Sequence, residues 1–202
     1  MTEKNVGRST VFQNAEYAER YAESSAKRNK KIARMFTKWL AQQGFEEGRI
    51  LDVGCGSGDI AIEIASAFPR AKIVGMDLSE PMLKIAQSAA EKADVPDRVS
   101  FRKGDAKSMP FEDKSFDVVI SLNTFHLVDD QVGMLNEVER VLKPNGLLLV
   151  TDIRRSWMRL FYRHLKDAPT AEQAKEIASK SKLRNHQFQQ GSVWLAFVIS
   201  RD

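Results

Sequence analysis

The fold is decided by one stretch of the chain, Arg49-Ile-Leu-Asp-Val-Gly-Cys-Gly-Ser-Gly-Asp-Ile60. Its first half is a short, mostly apolar run, which is typical of a parallel strand that is buried on both faces. Three alternate glycines follow, and they allow the backbone to turn sharply and to approach a ligand closely because no Cβ obstructs it. These glycines are Gly54, Gly56 and Gly58.

After the glycines, apolar residues recur at helical spacing: Ile60, Ala61, Ile64, Ala65 and Phe68. The stretch therefore predicts a strand, a tight turn and a helix in succession. Such a unit places the unpaired N–H donors of the helix N-terminus at the carboxyl edge of a sheet, where ligands of open α/β folds bind. A tight turn that binds no ligand is the alternative, and three glycines within five residues make it the weaker one.

Asp59 restricts the kind of ligand that the glycine loop can bind. A dinucleotide site would read Gly-x-Gly-x-x-Gly, and the third glycine of that pattern falls on Asp59. A carboxylate at that position would repel a pyrophosphate. A phosphate-binding P-loop does not fit either, because no Gly-Lys-Ser/Thr follows the glycines. We therefore expect a ligand with little or no phosphate, and Asp52, at the end of the strand, suits a ligand with an ammonium group.

Length and composition predict a single soluble domain. The chain has 202 residues, of which 43% are hydrophobic and 29% charged, and this is enough to bury a full α/β core. No apolar run reaches the ~18 residues of a membrane span, and the N-terminus lacks an apolar signal core. The single cysteine, Cys55, fits a reducing compartment, so we expect a cytoplasmic protein. The three histidines show no metal-ligand spacing, so no metal is expected.

The net charge of +4 is unevenly distributed along the chain. Residues 1–50 carry +4, residues 51–152 carry −6 and residues 153–202 carry +6. Basic flanks can attract an acidic substrate, an anionic membrane surface or nucleic acid. A solvated surface is the better interpretation of so small a total, so no nucleic-acid partner is expected.

The segment Leu51-Asp-Val-Gly-Cys-Gly-Ser-Gly58 resembles the signature loop of class I S-adenosylmethionine-dependent methyltransferases. The resemblance implies an α/β fold with a Rossmann-like, doubly wound, mostly parallel sheet and a C-terminal antiparallel hairpin. It also implies that S-adenosyl-L-methionine is the cofactor and that the loop holds it. Asp52 would then lie near the amino-acid end of the cofactor, with Cys55 as a small residue of the loop rather than a nucleophile.

Asp77 follows the predicted second strand, residues 72–79, and lies 19 positions beyond Gly58. This is close to the spacing at which a carboxylate accepts hydrogen bonds from ribose hydroxyls. A helix N-cap is the alternative role for Asp77, but Ser79 or Glu80 lies nearer to Pro81, which suits the first position of a helix. We therefore favour the ribose role.

The adenine end is predicted from the same neighbourhood. With Asp77 on the ribose, Leu78 and Met82 would line the adenine slot. In the resembled family, an aspartate after the third strand binds the adenine amino group, and the next backbone N–H binds a ring nitrogen. Asp105 and Ala106 occupy these two positions here, although a surface turn is an alternative role for Asp105.

The fourth strand is predicted from Phe116 to Leu122, and Asn123 at its carboxyl edge is a further candidate cofactor contact. The segment from Phe116 to Asp130 resembles the small-molecule branch of the family, which includes ubiquinone and menaquinone C-methyltransferases. His126 lies at the same edge and is a candidate general base, because its pKa range suits proton transfer. A hydrogen-bonded structural histidine is an equal alternative.

The N-terminal flank is predicted to be helical from about residue 14 to 43, as two pieces that join near Ser24 and Ser25. In the resembled family, helices before the first strand cover the substrate pocket. Phe12, Tyr17 and Tyr21 are therefore candidate contacts of the methyl acceptor, with structural packing as the alternative for each.

The segment Lys143-Pro-Asn-Gly146 is predicted to form a tight turn, in which Asn145 tolerates a positive φ. The C-terminal flank begins after the predicted fifth strand, residues 146–152. A basic helix is predicted over residues 154–166, and Arg154 and Arg155 at its start could bind an acidic group of the acceptor. The helix could also associate weakly with a membrane surface, or serve as a lid or dimer contact. Thr170 is predicted to cap a helix that ends near Lys180, and residues 185–200 to form a closing hairpin.

Together with the resemblance, these patterns imply a single methyltransferase domain with three parts. Residues 1–45 would form a helical lid, residues 46–152 the cofactor-binding core, and residues 153–202 the last helices and the hairpin. The predicted function is methyl transfer to a small-molecule acceptor by a monomer or homodimer.

Two other functions stay open at this point. The basic flanks suggest a nucleic-acid or protein methyltransferase, although the fourth strand ends in Asn-Thr-Phe-His rather than in the Asn/Asp-Pro-Pro-Tyr/Phe pattern of base N-methyltransferases. A non-catalytic protein that binds S-adenosylmethionine is the other, because the chemistry has no obligatory catalytic residue.

Overall fold

The computed structural model describes residues 12–155 and 168–201. The chain divides into two compact units, of which the first ends at Asp105 and the second begins at Ala106. The described residues contain five α-helices and seven β-strands.

The first unit contains three parallel strands and three helices. Strand β1 pairs in parallel with β2, and β2 pairs in parallel with β3. The apolar residues of β1 are fully buried, as expected for a parallel strand that is covered on both faces. The elements of this unit are α1 (Ala15–Gln42), β1 (Glu47–Val53), α2 (Asp59–Ala67), β2 (Arg70–Asp77), α3 (Glu80–Lys92) and β3 (Val99–Lys103).

Helix α1 is continuous, so the prediction of two helical pieces was wrong. Both serines at the predicted break bond to carbonyls of their own helix: Ser24 Oγ donates to Tyr21 O, and Ser25 Oγ donates to Ala22 O. Ser25 is also buried. Serine disfavours a helix mainly because its hydroxyl competes for backbone groups, and here that hydrogen bonding occurs within the helix.

The second unit combines a parallel pair of strands with the closing hairpin. Strand β4 pairs in parallel with β5, β5 pairs antiparallel with β7, and β7 pairs antiparallel with β6, which confirms the predicted hairpin. The predicted bounds of the fourth strand are also confirmed. The elements are β4 (Phe116–Leu122), a 3₁₀ turn (Phe125–Leu127), α4 (Gln131–Val141), β5 (Leu142–Ile153), α5 (Ala171–Lys180), β6 (Gln187–Gln190) and β7 (Trp194–Ile199).

Strand β5 begins earlier than the sequence predicted. The segment 143–146, predicted as a tight turn, lies within the strand, where the pairing register with β4 shifts between Phe116 and Val118. Asn145 has a φ of 63°, so the asparagine takes the left-handed conformation that we expected it to tolerate. The residues of the predicted turn thus form an irregularity in a longer strand.

The predicted basic helix at residues 154–166 lies almost wholly outside the described residues. Arg154 and Arg155 are described, and they follow β5 without being helical. Among the described helices, none combines the length and the apolarity that crossing a bilayer requires.

Helix α5 begins with the capping arrangement that its sequence predicted. The Thr170 side chain accepts a hydrogen bond from the Gln173 N–H, and the Gln173 side chain accepts one from the Thr170 N–H. This reciprocal pair satisfies two donors that would otherwise be unpaired at the helix start.

Replacing Thr170 by Ala should therefore lower the free energy of unfolding by about 1 kcal/mol, because the cap acceptor is lost. Urea denaturation measures this difference. Ser179→Ala, an exposed substitution within the same helix, is the matched control and should cause no loss, because alanine is the better helix former. Equal effects of the two substitutions would contradict the role of the cap.

Candidate functional site

The glycine loop leaves the carboxyl end of β1 and turns back at once over the end of β2. The N–H groups of Gly54 and Cys55 both donate to the Met76 carbonyl, at 2.7 and 3.1 Å. Gly54, Gly56 and Gly58 all have positive φ, at 72°, 52° and 79°, which confirms that the turn requires glycine. Gly58 is also the residue that directly precedes α2, so the glycine loop ends at the N-terminus of that helix.

Asp77 fixes this loop through its side chain. Its Oδ2 accepts a hydrogen bond from the Gly56 N–H at 2.9 Å, and its Oδ1 accepts one from the Ser79 N–H at 2.9 Å. The N-cap of α3 is Ser79, whose hydroxyl accepts from the Met82 N–H, so Asp77 is not the cap. Burial raises the pKa of Asp77, and the hydrogen bonds from Ser79 and Gly56 oppose that rise. Two hydrogen bonds leave a carboxylate with further acceptor capacity for a ligand.

Asp52 is the clearest sign of a ligand in this unit. Its side chain is 1% exposed, and its Oδ2 is buried without a hydrogen-bond partner among the described residues. Burial raises the pKa of Asp52 to about 7, and the nearby charges of Asp77 and Asp59 add to the rise. A buried carboxylate oxygen without a partner is costly, so a cationic hydrogen-bond donor at this position would be strongly favoured.

Asp59 has a structural role that the sequence pattern did not reveal. Its Oδ2 accepts hydrogen bonds from Ser57 Oγ at 2.6 Å and from Asn29 Nδ2 at 3.0 Å. Asn29 belongs to α1, so this carboxylate connects the N-terminal helix to the glycine loop. An acidic residue in the first turn of α2 also interacts favourably with the helix dipole. Asn29 is distant in sequence from the loop, and no spacing rule would have found it.

The start of α1 is attached to the turn that follows Asp77. Ser79 Oγ donates to the Phe12 carbonyl at 2.6 Å, and the Gln13 side chain donates to the Leu78 carbonyl at 3.1 Å. Tyr17 and Leu78 are each 39% exposed, so both retain surface for a contact.

The three predicted acceptor contacts of the N-terminal segment form one aromatic cluster. Phe12 packs edge-on against Tyr17 and Tyr21, with ring centroids 5.4 and 5.0 Å apart. The three rings therefore pack on one another, and part of Tyr17 stays exposed.

Of the predicted adenine contacts, Leu78 follows β2, Met82 lies in α3, and Asp105 and Ala106 follow β3. The Gly104 N–H donates to the Asp77 carbonyl at 3.1 Å, so the residue before Asp105 is held beside Asp77. Asp105 is half-buried, whereas Met82 is 2% exposed and forms part of the core. Ala106, the first residue of the second unit, is half-buried.

The second unit brings His126 to a buried carboxylate. Asn123, directly after β4, has a φ of 53°, and its N–H donates to the Thr151 carbonyl at 3.0 Å. The chain then enters the 3₁₀ turn that holds His126, whose Nδ1 lies 2.6 Å from Asp152 Oδ1. Sequence reasoning proposed His126 but missed Asp152, because the two residues are 26 positions apart and on different elements.

The two predicted arginine contacts are engaged by glutamines of the C-terminal segment. Arg154 Nη1 donates to Gln190 Oε1 at 2.6 Å, and Arg155 Nη2 donates to Gln173 Oε1 at 2.7 Å. Arg154 Nε is buried and has no hydrogen-bond partner among the described residues.

A solved structure with the same fold covers the whole chain. It is the crystal structure of a protein from Methanococcus maripaludis, assigned as an S-adenosyl-L-methionine-dependent methyltransferase, with a TM-score of 0.79 over 100% of this chain and 97% of that one, at 20% identity. This likeness shows the fold of the chain, and it confirms the predicted Rossmann-like α/β fold.

Residues 45–172 match the family described as "Methyltransferase domain", and the chain belongs to that family. Two curated relatives are a 27-O-demethylrifamycin SV methyltransferase from Amycolatopsis mediterranei and a demethylmenaquinone methyltransferase from Lactiplantibacillus plantarum. The first is 41% identical over 52% of this chain and 38% of its own length. The second is 39% identical over 50% of this chain and 43% of its own length. The chain thus spans less than half the length of these two relatives.

Alanine at Gly58 should destabilise the protein more than alanine at Gly56. A Cβ at Gly58 would lie 2.9 Å from Phe101 Cζ and 3.0 Å from Ala86 Cβ, whereas a Cβ at Gly56 would meet nothing within 4 Å. Both substitutions strain a positive φ, so the collision is the difference between them, and it should cost roughly 1–3 kcal/mol in unfolding free energy. Urea denaturation of the two variants tests this, and equal losses would contradict the packing described.

Asp52→Asn should stabilise the protein increasingly as the pH rises from about 5 to 7. The pKa of Asp52 is about 7 in the folded state and 3.8 ordinarily, so in this window the folded protein binds a proton that the unfolded chain has released. The contribution of Asp52 to the free energy of unfolding therefore falls as the pH rises. Asparagine does not titrate, so the substitution removes this loss. The loss amounts to a few kcal/mol, at about 1.4 kcal/mol for each unit by which the two pKa values differ. Unfolding free energies from pH 5 to 8 measure it; parallel curves for both proteins would count against the raised pKa.

Proposed function

We propose that this protein transfers a methyl group from S-adenosyl-L-methionine to a small-molecule acceptor. The observation that carries the proposal is the buried Asp52 Oδ2, which has no partner in the described residues and lies at the end of the strand that leads into the glycine loop. The cofactor carries an ammonium group that suits this carboxylate, and it carries no phosphate that Asp59 would repel.

Each part of the cofactor has a candidate partner. Asp52 and the backbone of Gly54, Cys55, Gly56 and Gly58 hold the amino-acid end. Asp77 accepts from the ribose hydroxyls with the acceptor capacity that its two backbone hydrogen bonds leave. The candidate adenine contacts are Leu78, Met82, Asp105 and Ala106, and Asn123 is a further candidate contact of the cofactor.

The cofactor supplies an activated methyl group on a sulfonium when it is bound. The protein's contribution is to hold the reacting atoms in line, and positioning of this kind is worth on the order of 7–11 kcal/mol in well-oriented systems. The hydrogen bonds from Gly56 to Asp77 and from Asn29 to Asp59 hold the loop in place in the absence of a ligand. A site that is already formed spends less binding free energy on ordering its own groups.

The acceptor is a small molecule that contacts the aromatic cluster of Phe12, Tyr17 and Tyr21. The curated relatives named above support this class, because their names specify a rifamycin and a menaquinone precursor as acceptors. Arg154 and Arg155 are the candidates to bind an acidic group on the acceptor. We further propose a cytoplasmic monomer or homodimer, in keeping with the buried free thiol of Cys55.

Replacing Asp77 by Ala should weaken binding of S-adenosyl-L-methionine by roughly 1–3 kcal/mol, or about 5- to 150-fold, because a hydrogen-bonded charged partner is lost. Isothermal titration calorimetry measures the dissociation constant. Asp97→Ala, at an exposed residue of the same unit, is the control and should bind as the unaltered protein does. Unchanged affinity in the Asp77 variant would overturn the assignment, and absence of binding by the unaltered protein would overturn the proposed function itself.

A further inference from the structure

Three carboxyl groups lie around the glycine loop of the first unit, and their donors are all neutral. Asp77 accepts hydrogen bonds from backbone N–H groups, and Asp59 accepts from the side chains of Ser57 and Asn29. The third group is Asp52, whose Oδ2 has no partner. Among residues 12–155 and 168–201, no lysine, arginine or histidine is bonded to any of the three. The cluster is therefore acidic without a cation of its own.

Asp52 has the surroundings that are least suited to a negative charge. Its side chain is 1% exposed. Its pairing partner in β2 is Gly75, and the space that a side chain at Gly75 would need is occupied by the Phe101 ring of β3 and by Cys55 Sγ. At this register position β2 and β3 thus offer neither a hydrogen-bond donor nor a positive charge to the carboxyl group.

One proton is expected in this cluster when no ligand is bound, because neighbouring buried carboxyl groups cannot all ionise readily. Asp77 and Asp59 have donors that stabilise their ionised forms, whereas Asp52 Oδ2 has none, so Asp52 is the group that holds the proton. Burial, together with the charges of Asp77 and Asp59, raises the pKa of Asp52 to about 7. The Cys55 thiol stays neutral too, since burial and the charge of Asp52 raise its pKa.

We propose that Asp52 carries a proton in the ligand-free protein and releases it to solvent when the ammonium group of the cofactor binds beside it. The inference rests on the proposed function and adds a proton exchange to the same site. The only covalent bond that breaks is the O–H bond of Asp52, and the carboxylate that forms accepts hydrogen bonds from the ammonium group. One positive charge thereby replaces another, so the net charge around the loop does not change.

This exchange makes Asp52 a residue that selects among ligands. A nucleoside that brings only adenine, ribose and sulfur has no cation to replace the proton, so its affinity should not depend on the protonation of Asp52. A ligand with an ammonium group gains a charge-assisted hydrogen bond once the proton has left. Its affinity therefore rises with pH as long as the free protein holds the proton, and levels off above a pH of about 7.

Proton release on binding tests the inference directly. S-adenosylhomocysteine keeps the ammonium group and avoids turnover, and its binding is measured by isothermal titration calorimetry at pH 6, 7 and 7.5 in two buffers that differ in their heat of protonation. About 0.9 proton should be released per bound ligand at pH 6 and about 0.5 at pH 7, and Kd should fall roughly 5- to 10-fold from pH 6 to 7.5.

Binding of S-adenosylhomocysteine without proton release would overturn the inference and leave the proposed function standing. Failure of both S-adenosylhomocysteine and S-adenosyl-L-methionine to bind would instead overturn the proposed function, and the inference with it.

A second ligand and two variants identify the group that loses the proton. 5′-Methylthioadenosine lacks the amino-acid part of the cofactor and should bind without proton release. Asp52→Asn has the same shape but does not titrate, so it should bind S-adenosylhomocysteine without release, whereas Asp97→Asn, at an exposed residue of the same unit, should release the proton as the unaltered protein does. Equal release with 5′-methylthioadenosine, or release that persists in Asp52→Asn, would overturn the inference. The comparison of the two ligands uses the unaltered protein and decides the matter even if Asp52→Asn does not fold.

Discussion

The hydrogen bond from the Gly56 N–H to the Asp77 carboxylate is the interaction on which the candidate cofactor site depends. It joins the loop after β1 to the end of β2, and so holds the carboxyl ends of these two strands side by side. The same carboxylate also accepts from Ser79, which begins α3. One side chain therefore sets the positions of the loop, the strand end and the next helix. Burial raises the pKa of this carboxyl group, and the two backbone donors oppose that rise.

The N-terminal helix is part of this arrangement rather than an appendage. Asn29 reaches Asp59 beside the loop, while the carbonyls of Phe12 and Leu78 accept hydrogen bonds from Ser79 and Gln13. The helix is thus attached at two points, one beside the glycine loop and one at the turn that follows β2. If the loop were not formed, the polar groups in these hydrogen bonds would lose their partners. The N-terminal helix and the loop therefore stabilise each other.

The sequence was sufficient for the parts that depend on local chemistry. Glycines at 54, 56 and 58, the apolar strands and the Thr170 cap are dictated by residues within a few positions of one another, and all were predicted. Local rules failed where tertiary contacts decide. Serines at 24 and 25 indicated a break but bond within an unbroken helix, and the predicted turn before β5 is an irregularity inside the strand. The partnership of His126 with Asp152 could not be predicted, because it joins two elements that only the fold brings together.

The ring of Phe101 has a consequence for how this sequence can change. It occupies the space that a Cβ at Gly58 would need, and the space that a Cβ at Gly75 would need, where Phe101 Cδ1 lies 2.6 Å away and Cys55 Sγ 2.9 Å. Side chains at these three positions, on three separate segments, would thus compete for the same space. A larger residue at either glycine becomes tolerable only together with a smaller one at Phe101. The loop, β2 and β3 are therefore constrained to evolve jointly, and the effect of a substitution at one of these sites depends on which residues occupy the others.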